Sequence, residues 1–310
     1  MMKFAFVFPG QGSQTTGMMR PFAESPVVRK VFTEASHALD MDLWKLVAEG
    51  PAEQLNSTVN TQPVMLTAGY SVYRAWRDAG GAEPAIMAGH SLGEFTALVA
   101  AGALAFSDAL PLVRFRAQAM QEAVAVGEGA MAAILGLDDE AVRGACREAA
   151  QGQVVEAVNF NAPNQVVIAG HKVAVERGVA MAKAKGARRA VMLPVSAPFH
   201  SSLLKPAADR LAAYLDKISV SAPRIPVVNN VDAAVEREPR RIKEALARQA
   251  CSPVRWVEVV QRIAAEGIAH VAECGPGKIL AGLSKRIDSR LQGYAVADPH
   301  ALEQALLALK

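Results

Sequence analysis

The chain has 310 residues, 51% of them hydrophobic and 20% charged, with a formal net charge of +3. That balance excludes a disordered or collagen-like chain, and so mild a charge argues for no nucleic-acid partner. No apolar run approaches the ~18 residues of a membrane span, and Cys146, Cys251 and Cys274 have neither metal-site nor C-x-x-C spacing, so a reduced, cytoplasmic setting without a metal is expected.

KFAFVF at 3–8 has the apolar density of a buried strand and is too short for a signal peptide. Helical spacing follows at about 24–39 and 62–79. PAIMAG is a second strand, followed by a helix in SLGEFTALVAAGAL and another in DALPLVRFRAQAMQEAV. This alternation predicts a parallel sheet covered by helices. In the middle of the chain AMAAIL reads as a strand, DDEAVRGACREAA as a helix, and VVEAVNF and QVVIAG as strands around the turn residues NAPN. VAVERGVAMAKAKG is then a helix and RAVMLPVS a strand. The β-α-β-β-α-β order predicts a ferredoxin-like unit over 128–196, inserted between segments 1–127 and 197–310 of a larger α/β domain. The α/β pattern resumes with a helix after FHSS, the strand PRIPVVNN, two helices separated by SPVRW, the strand HVAEC and a helix after GPGK.

Gly89–Gly93 spells G-x-S-x-G between a strand and a helix. Glycines two positions either side of a serine let the chain turn sharply and present the hydroxyl at a helix N-terminus, where an oxyanion would be stabilised. Ser91 is therefore a candidate nucleophile, with a plain helix cap as the alternative. A flexible polar loop, Gly10–Gly12, ends the first strand, and His200 directly follows the last strand of the middle unit. GPGK at 275–278 fits neither a P-loop nor G-x-G-x-x-G and reads as a tight connection, and Arg240 and Arg241 read as a solvated helix face.

Seven segments, FPGQGSQ, GHSLGE, RFRAQAM, NFNAPNQVVIAG, SAPFH, SPVRW and ECGPGKIL, occur in this order along nearly the whole chain. In them the chain resembles the malonyl-CoA:acyl carrier protein transacylases and the acyltransferase domains of polyketide synthases. The resemblance implies a large α/β-hydrolase-like domain with a parallel sheet, carrying a small ferredoxin-like subdomain. It also implies ping-pong transfer of malonyl from malonyl-CoA to the phosphopantetheine thiol of acyl carrier protein, through a serine ester and without a cofactor. Ser91 would be the nucleophile and His200 its base, with the amides of Gln11 and Leu92 as the oxyanion hole. Arg116 would pair with the malonyl carboxylate, while Arg114 lies on another helix face.

The resemblance further points to Asn159, Asn161 and Gln165 around the substrate cleft, with ordinary turn chemistry as the alternative, and to Phe199, before the histidine, as a companion of malonyl. Arg188 and Arg189 either meet phosphates or form a solvated pair. No acid among Asp209, Asp216, Asp232 and Glu236 sits in a motif suited to orient His200; the resemblance points instead to the backbone carbonyl of Gln249. Because a carbonyl survives truncation, Gln249→Ala is expected to keep much of the activity. A monomer acting away from membranes is expected. A serine esterase of the hydrolase class, a non-catalytic carrier-docking domain and an acyltransferase of secondary metabolism stay open as alternatives.

Overall fold

The computed structural model describes residues 2–195 and 197–310, so Ser196, the last residue of the expected strand RAVMLPVS and the first of SAPFH, lies outside the described residues. The first strand, β1 (Phe4–Phe8), is buried at every position. Four helices follow it: α1 (Pro26–Leu39), α2 (Leu43–Glu49), α3 (Ala52–Asn56) and α4 (Thr58–Asp78). Ser25 caps α1 by accepting the amide of Val28, Pro26 starts it, and Asp40 ends it in the left-handed conformation. The sequence pattern missed α2 and α3, whose seven and five residues are too few to display a helical period.

Next come β2 (Ile86–Gly89), α5 (Leu92–Ala100) and α6 (Phe106–Glu122). The middle of the chain forms β3 (Gly129–Leu135), α7 (Asp139–Ala150), β4 (Val155–Ala162), β5 (Gln165–His171), α8 (Lys172–Ala184) and β6 (Arg189–Met192). The last stretch holds α9 (Lys205–Leu215), β7 (Val227–Val228), α10 (Pro239–Gln249), α11 (Trp256–Ala265), β8 (His270–Cys274), α12 (Ile279–Ile287), β9 (Gln292–Val296) and α13 (Pro299–Ala308).

Two sheets result. One is parallel throughout, with strand order β7-β2-β1-β8-β9. The other is antiparallel, in the order β4-β5-β3-β6. β1 sits at the centre of the parallel sheet, so the loops leaving β1 and β2 lie side by side at its carboxyl edge, where α/β folds bind ligands. Along β5 the side chains alternate: Val166 and Ile168 enter the core of the middle unit, whereas Val167 and Ala169 join the main core. The antiparallel sheet is thus covered on both faces. Its β4 edge is also pinned to the segment before α11, since Phe160 N donates to Val254 O at 3.0 Å and Val254 N to Val158 O at 2.8 Å.

Three expected elements differ. β6 stops at Met192, close to Pro194, which has no amide to donate. PRIPVVNN contributes only Val227 and Val228, because Pro223 and Pro226 cannot donate to a ladder and Pro226 takes part only as an acceptor for Met87 N. The chain also continues past the helix after GPGK into β9 and α13, which carried no distinct pattern because β9 is an edge strand buried fully only at Val296. No helix among the described residues is long and apolar enough to cross a membrane.

Phe6, fully buried in β1, meets Phe4, Phe8, Tyr73 and Trp76 edge-on at ring separations of 5.2–6.4 Å. Its truncation in Phe6→Ala should cost about 3–5 kcal/mol of stability. Urea unfolding should register this as a lower midpoint at unchanged slope.

Candidate active site

β2 ends at Gly89, and two residues later Ser91 takes φ 51° and ψ −109°, a region that side-chain-bearing residues rarely adopt. The turn is possible because a Cβ on Gly89 would run into the carbonyl carbon of Gly93, so the chain crosses itself there without side chains. A Cβ on Gly10 would come within 2.5 Å of the His90 carbonyl oxygen, which puts the loop after β1 directly against this elbow. Three hydrogen bonds hold the strained serine. Its amide donates to Asn230 Oδ1 at 2.7 Å, Asn230 Nδ2 donates to Gly89 O at 2.7 Å, and Gln249 Nε2 donates to Ser91 O at 3.0 Å.

His200, also at positive φ (67°), brings Nε2 to 2.8 Å from Ser91 Oγ. Its Nδ1 lies 2.8 Å from the backbone oxygen of Gln249. A carbonyl only accepts, so Nδ1 carries the proton and Nε2 is left as the acceptor of the Ser91 hydroxyl hydrogen. Burial, and then the charge of Arg116, push the His200 pKa down to about 3, so the ring is neutral near pH 7. Among the described residues, Asp209, Asp216, Asp232 and Glu236 make no hydrogen bond to it; Asp209 pairs with Lys205 and Asp232 with Arg248.

Arg116, on α6, is a buried cation whose hydrogen-bond acceptors are all neutral. Nη1 donates to Gln62 Oε1 at 2.8 Å, and Nη2 donates to Gln249 Oε1 at 2.8 Å and to Ser91 Oγ at 3.1 Å. Its Nε has no partner among the described residues, and the guanidinium carbon lies 5.3 Å from the Phe95 ring centroid. Burial lowers its pKa to about 10, which still leaves it charged at neutral pH. Arg114 points elsewhere and donates to Leu39 O.

Gln249 contributes more than the expected carbonyl. Its carbonyl does face His200, but its side chain is equally committed, bonding Arg116, Glu94 and Ser91 O in a fully buried position. Truncation would therefore strip three hydrogen bonds from the site. Gln62, Asn230 and Glu94 escaped the sequence reading altogether. An isolated glutamine before Pro63, an asparagine ending VVNN and an acid in the first turn of a helix are each common surface patterns, and nothing local marks them as buried.

A cleft of about 730 Å³ opens over these groups. Gln11, Leu92, Asn159 and Phe199 line it together with Ser91, Arg116 and His200, and Met131 and Leu193 supply wall from the antiparallel unit. The added-Cβ position of Gly10 is 3.8 Å from the Leu92 amide nitrogen, so the Gln11 loop and the start of α5 adjoin. Asn161 lies behind the wall, its Oδ1 2.8 Å from His90 Nε2. Gln165 stands apart and accepts from Arg286. Arg188 and Arg189 are exposed and do not line the cleft. No cluster of His, Cys, Asp and Glu among the described residues could hold a metal ion.

A family model described as acyl transferase domain matches residues 5–292. The malonyl CoA-acyl carrier protein transacylase of Escherichia coli strain K12 is 57% identical over 307 residues, covering 99% of each chain. Among solved structures, an acyl-carrier-protein S-malonyltransferase from Burkholderia pseudomallei 1710b is 67% identical, with a TM-score of 0.98 over 99% of this chain and 100% of that one. A type II PKS acyl-carrier protein in complex with its malonyl-transacylase also matches, at 51% identity and a TM-score of 0.98 over 99% of both chains. Elbow, cleft, sheet order and full-length similarity converge: the chain belongs to the acyl transferase domain family and, within it, to the malonyl CoA-acyl carrier protein transacylases.

Proposed function

We propose that malonyl transfer from malonyl-CoA to acyl carrier protein, the activity of this family in fatty acid synthesis, proceeds here by ping-pong exchange through an ester on Ser91. The observation that carries this reading is the unbroken chain from Ser91 Oγ through His200 to the Gln249 carbonyl, with Arg116 in reach of the same oxygen. Ser91 Oγ attacks the thioester carbonyl while His200 Nε2 takes its proton. The tetrahedral intermediate then collapses, and His200 returns the proton to the departing CoA sulfur. In the second half-reaction His200 deprotonates the phosphopantetheine thiol of the carrier, the sulfur attacks the ester, and as the intermediate collapses His200 returns the proton to the departing Ser91 Oγ. The amides of Leu92 and Gln11 are suited to hold the oxyanion, Leu92 because the first amides of a helix lack intrahelical partners.

Arg116 gives the malonyl carboxylate a charged fork. A carboxylate arriving there competes with Ser91 Oγ for the Nη2 hydrogens and frees the serine for attack. It also offsets the positive charge that helps hold down the basicity of His200. Malonyl in this way improves the base that acts on it, whereas acetyl does not.

The finer architecture belongs to the same reading. Segments 1–127 and 197–310 form a hydrolase-like catalytic domain, and 128–196 an inserted ferredoxin-like subdomain, which the order β3-α7-β4-β5-α8-β6 supports. The enzyme acts as a cytoplasmic monomer without a cofactor.

Malonyl-CoA should add one malonyl group to the intact mass of the protein and none to Ser91→Ala; an adduct persisting on the variant would move the nucleophile elsewhere. Arg116→Ala should lower malonyl transfer by about 10² to 10³-fold while acetyl transfer holds or rises. With Arg116 gone, one of the causes depressing His200 disappears, so the acid limb of acetyl transfer should shift to higher pH. An equal loss for both donors would give Arg116 a purely structural part. Gln249→Ala should reduce malonyl kcat/KM by about 10 to 100-fold through its lost side-chain bonds. Wild-type kinetics in that variant would show that the carbonyl alone suffices.

A further inference from the structure

Behind the reacting serine lies a carboxylate that the acyl-transfer steps do not use. Glu94, in the first turn of α5, is 2% exposed. Its Oε2 accepts the Gln249 Nε2 hydrogen at 2.8 Å and the Asn230 amide at 2.9 Å. Each donor holds a working part: Asn230 takes the Ser91 amide, and Gln249 faces both His200 and Arg116. A buried amide side chain has two ends, and its neighbours decide which way it turns. With Glu94 Oε2 and Ser91 O both accepting on the nitrogen side, Gln249 must turn Oε1 toward Arg116.

We propose that Glu94 is a positioning and specificity residue of this malonyl transfer: it orients the Gln249 amide and, one amide away from Arg116, serves as the buried countercharge that limits discrimination against donors lacking a free carboxylate. This rests on the reading that Arg116 receives the malonyl carboxylate. The hydrogen bonds of Arg116 all end on neutral oxygens, and a buried charge without an opposite charge nearby is costly. Glu94 and Arg116 lie close enough to stabilise each other's charged forms. The other charged groups that act on Glu94 are Asp232, beyond β7, and Arg248, on α10, and these two pair with each other. A malonyl carboxylate competes with Glu94 for the charge of Arg116. Acetyl brings no such competitor and depends on Glu94 to temper the cation beside His200. Burial raises the Glu94 pKa to about 7, so the carboxylate is largely ionised at pH 8.

The test compares full-length wild type, Glu94→Gln and Glu94→Ala at pH 8, with malonyl-CoA or acetyl-CoA as donor and holo acyl carrier protein as acceptor. Glutamine can present its oxygen to the same two donors while removing the charge. Glu94→Ala should lose about 10 to 100-fold in malonyl kcat, because Gln249 and the Asn230 amide lose their acceptor. Glu94→Gln should recover most of that loss, lower the KM for malonyl-CoA and raise the malonyl-to-acetyl ratio of kcat/KM by about tenfold, since the competing charge is gone. An unchanged or lowered ratio in Glu94→Gln overturns the proposal, as does a kcat no better than that of Glu94→Ala. A Glu94→Gln protein that fails to fold overturns it as well, because the hydrogen bonds it keeps are those held to be sufficient for positioning. If Glu94→Ala alone fails to fold, the ratio in Glu94→Gln decides. A wild type inert toward malonyl-CoA in the same assay would instead overturn the malonyl-transfer reading, a result separate from any difference between variants.

Discussion

Gln249 ends α10 with a carbonyl that has no partner further along the helix, and the geometry of the cleft descends from what this residue holds. Its backbone oxygen sets the tautomer of His200, its side-chain oxygen steadies Arg116, and its side-chain nitrogen ties Ser91 O to Glu94. His200, Arg116 and Ser91 therefore share one buried reference point. Full burial of the Gln249 side chain keeps water from competing for its bonds to Arg116 and Glu94.

Charge distribution in the cleft follows from that arrangement. Arg116 sits in a cage of amide and hydroxyl oxygens instead of a direct ion pair. A direct carboxylate partner on the arginine would hold the cleft in a self-neutralised state and blunt recognition. Burial, and then the charge of Arg116, keep the His200 ring neutral near pH 7.

How much of this the sequence reveals depends on the range of each interaction. The elbow at Ser91 is legible because its cause is local: glycines at 89 and 93 allow the chain to cross itself. The strands and helices of the middle unit are legible because each buries a regular stripe, as Val166 to Ala169 do on alternate faces. Arg116 and His200 become identifiable only through resemblance, since neither has a local signature separating it from a surface arginine or a core histidine. Glu94, Gln62 and Asn230 were not legible at all, because their parts are defined by partners 136, 54 and 139 residues away. Short elements such as α2, α3 and β7 are likewise products of tertiary packing, too brief to carry a period of their own.

The backbone bridge between β4 and Val254 also bears on how far the cleft can widen. Main-chain hydrogen bonds at Val158 and Phe160 fasten the antiparallel sheet to a segment only five residues beyond Gln249. Swinging the sheet outward would break both bonds and drag on the residue that contacts both His200 and Arg116. The cleft thus behaves as a slot of fixed gauge and not as a jaw.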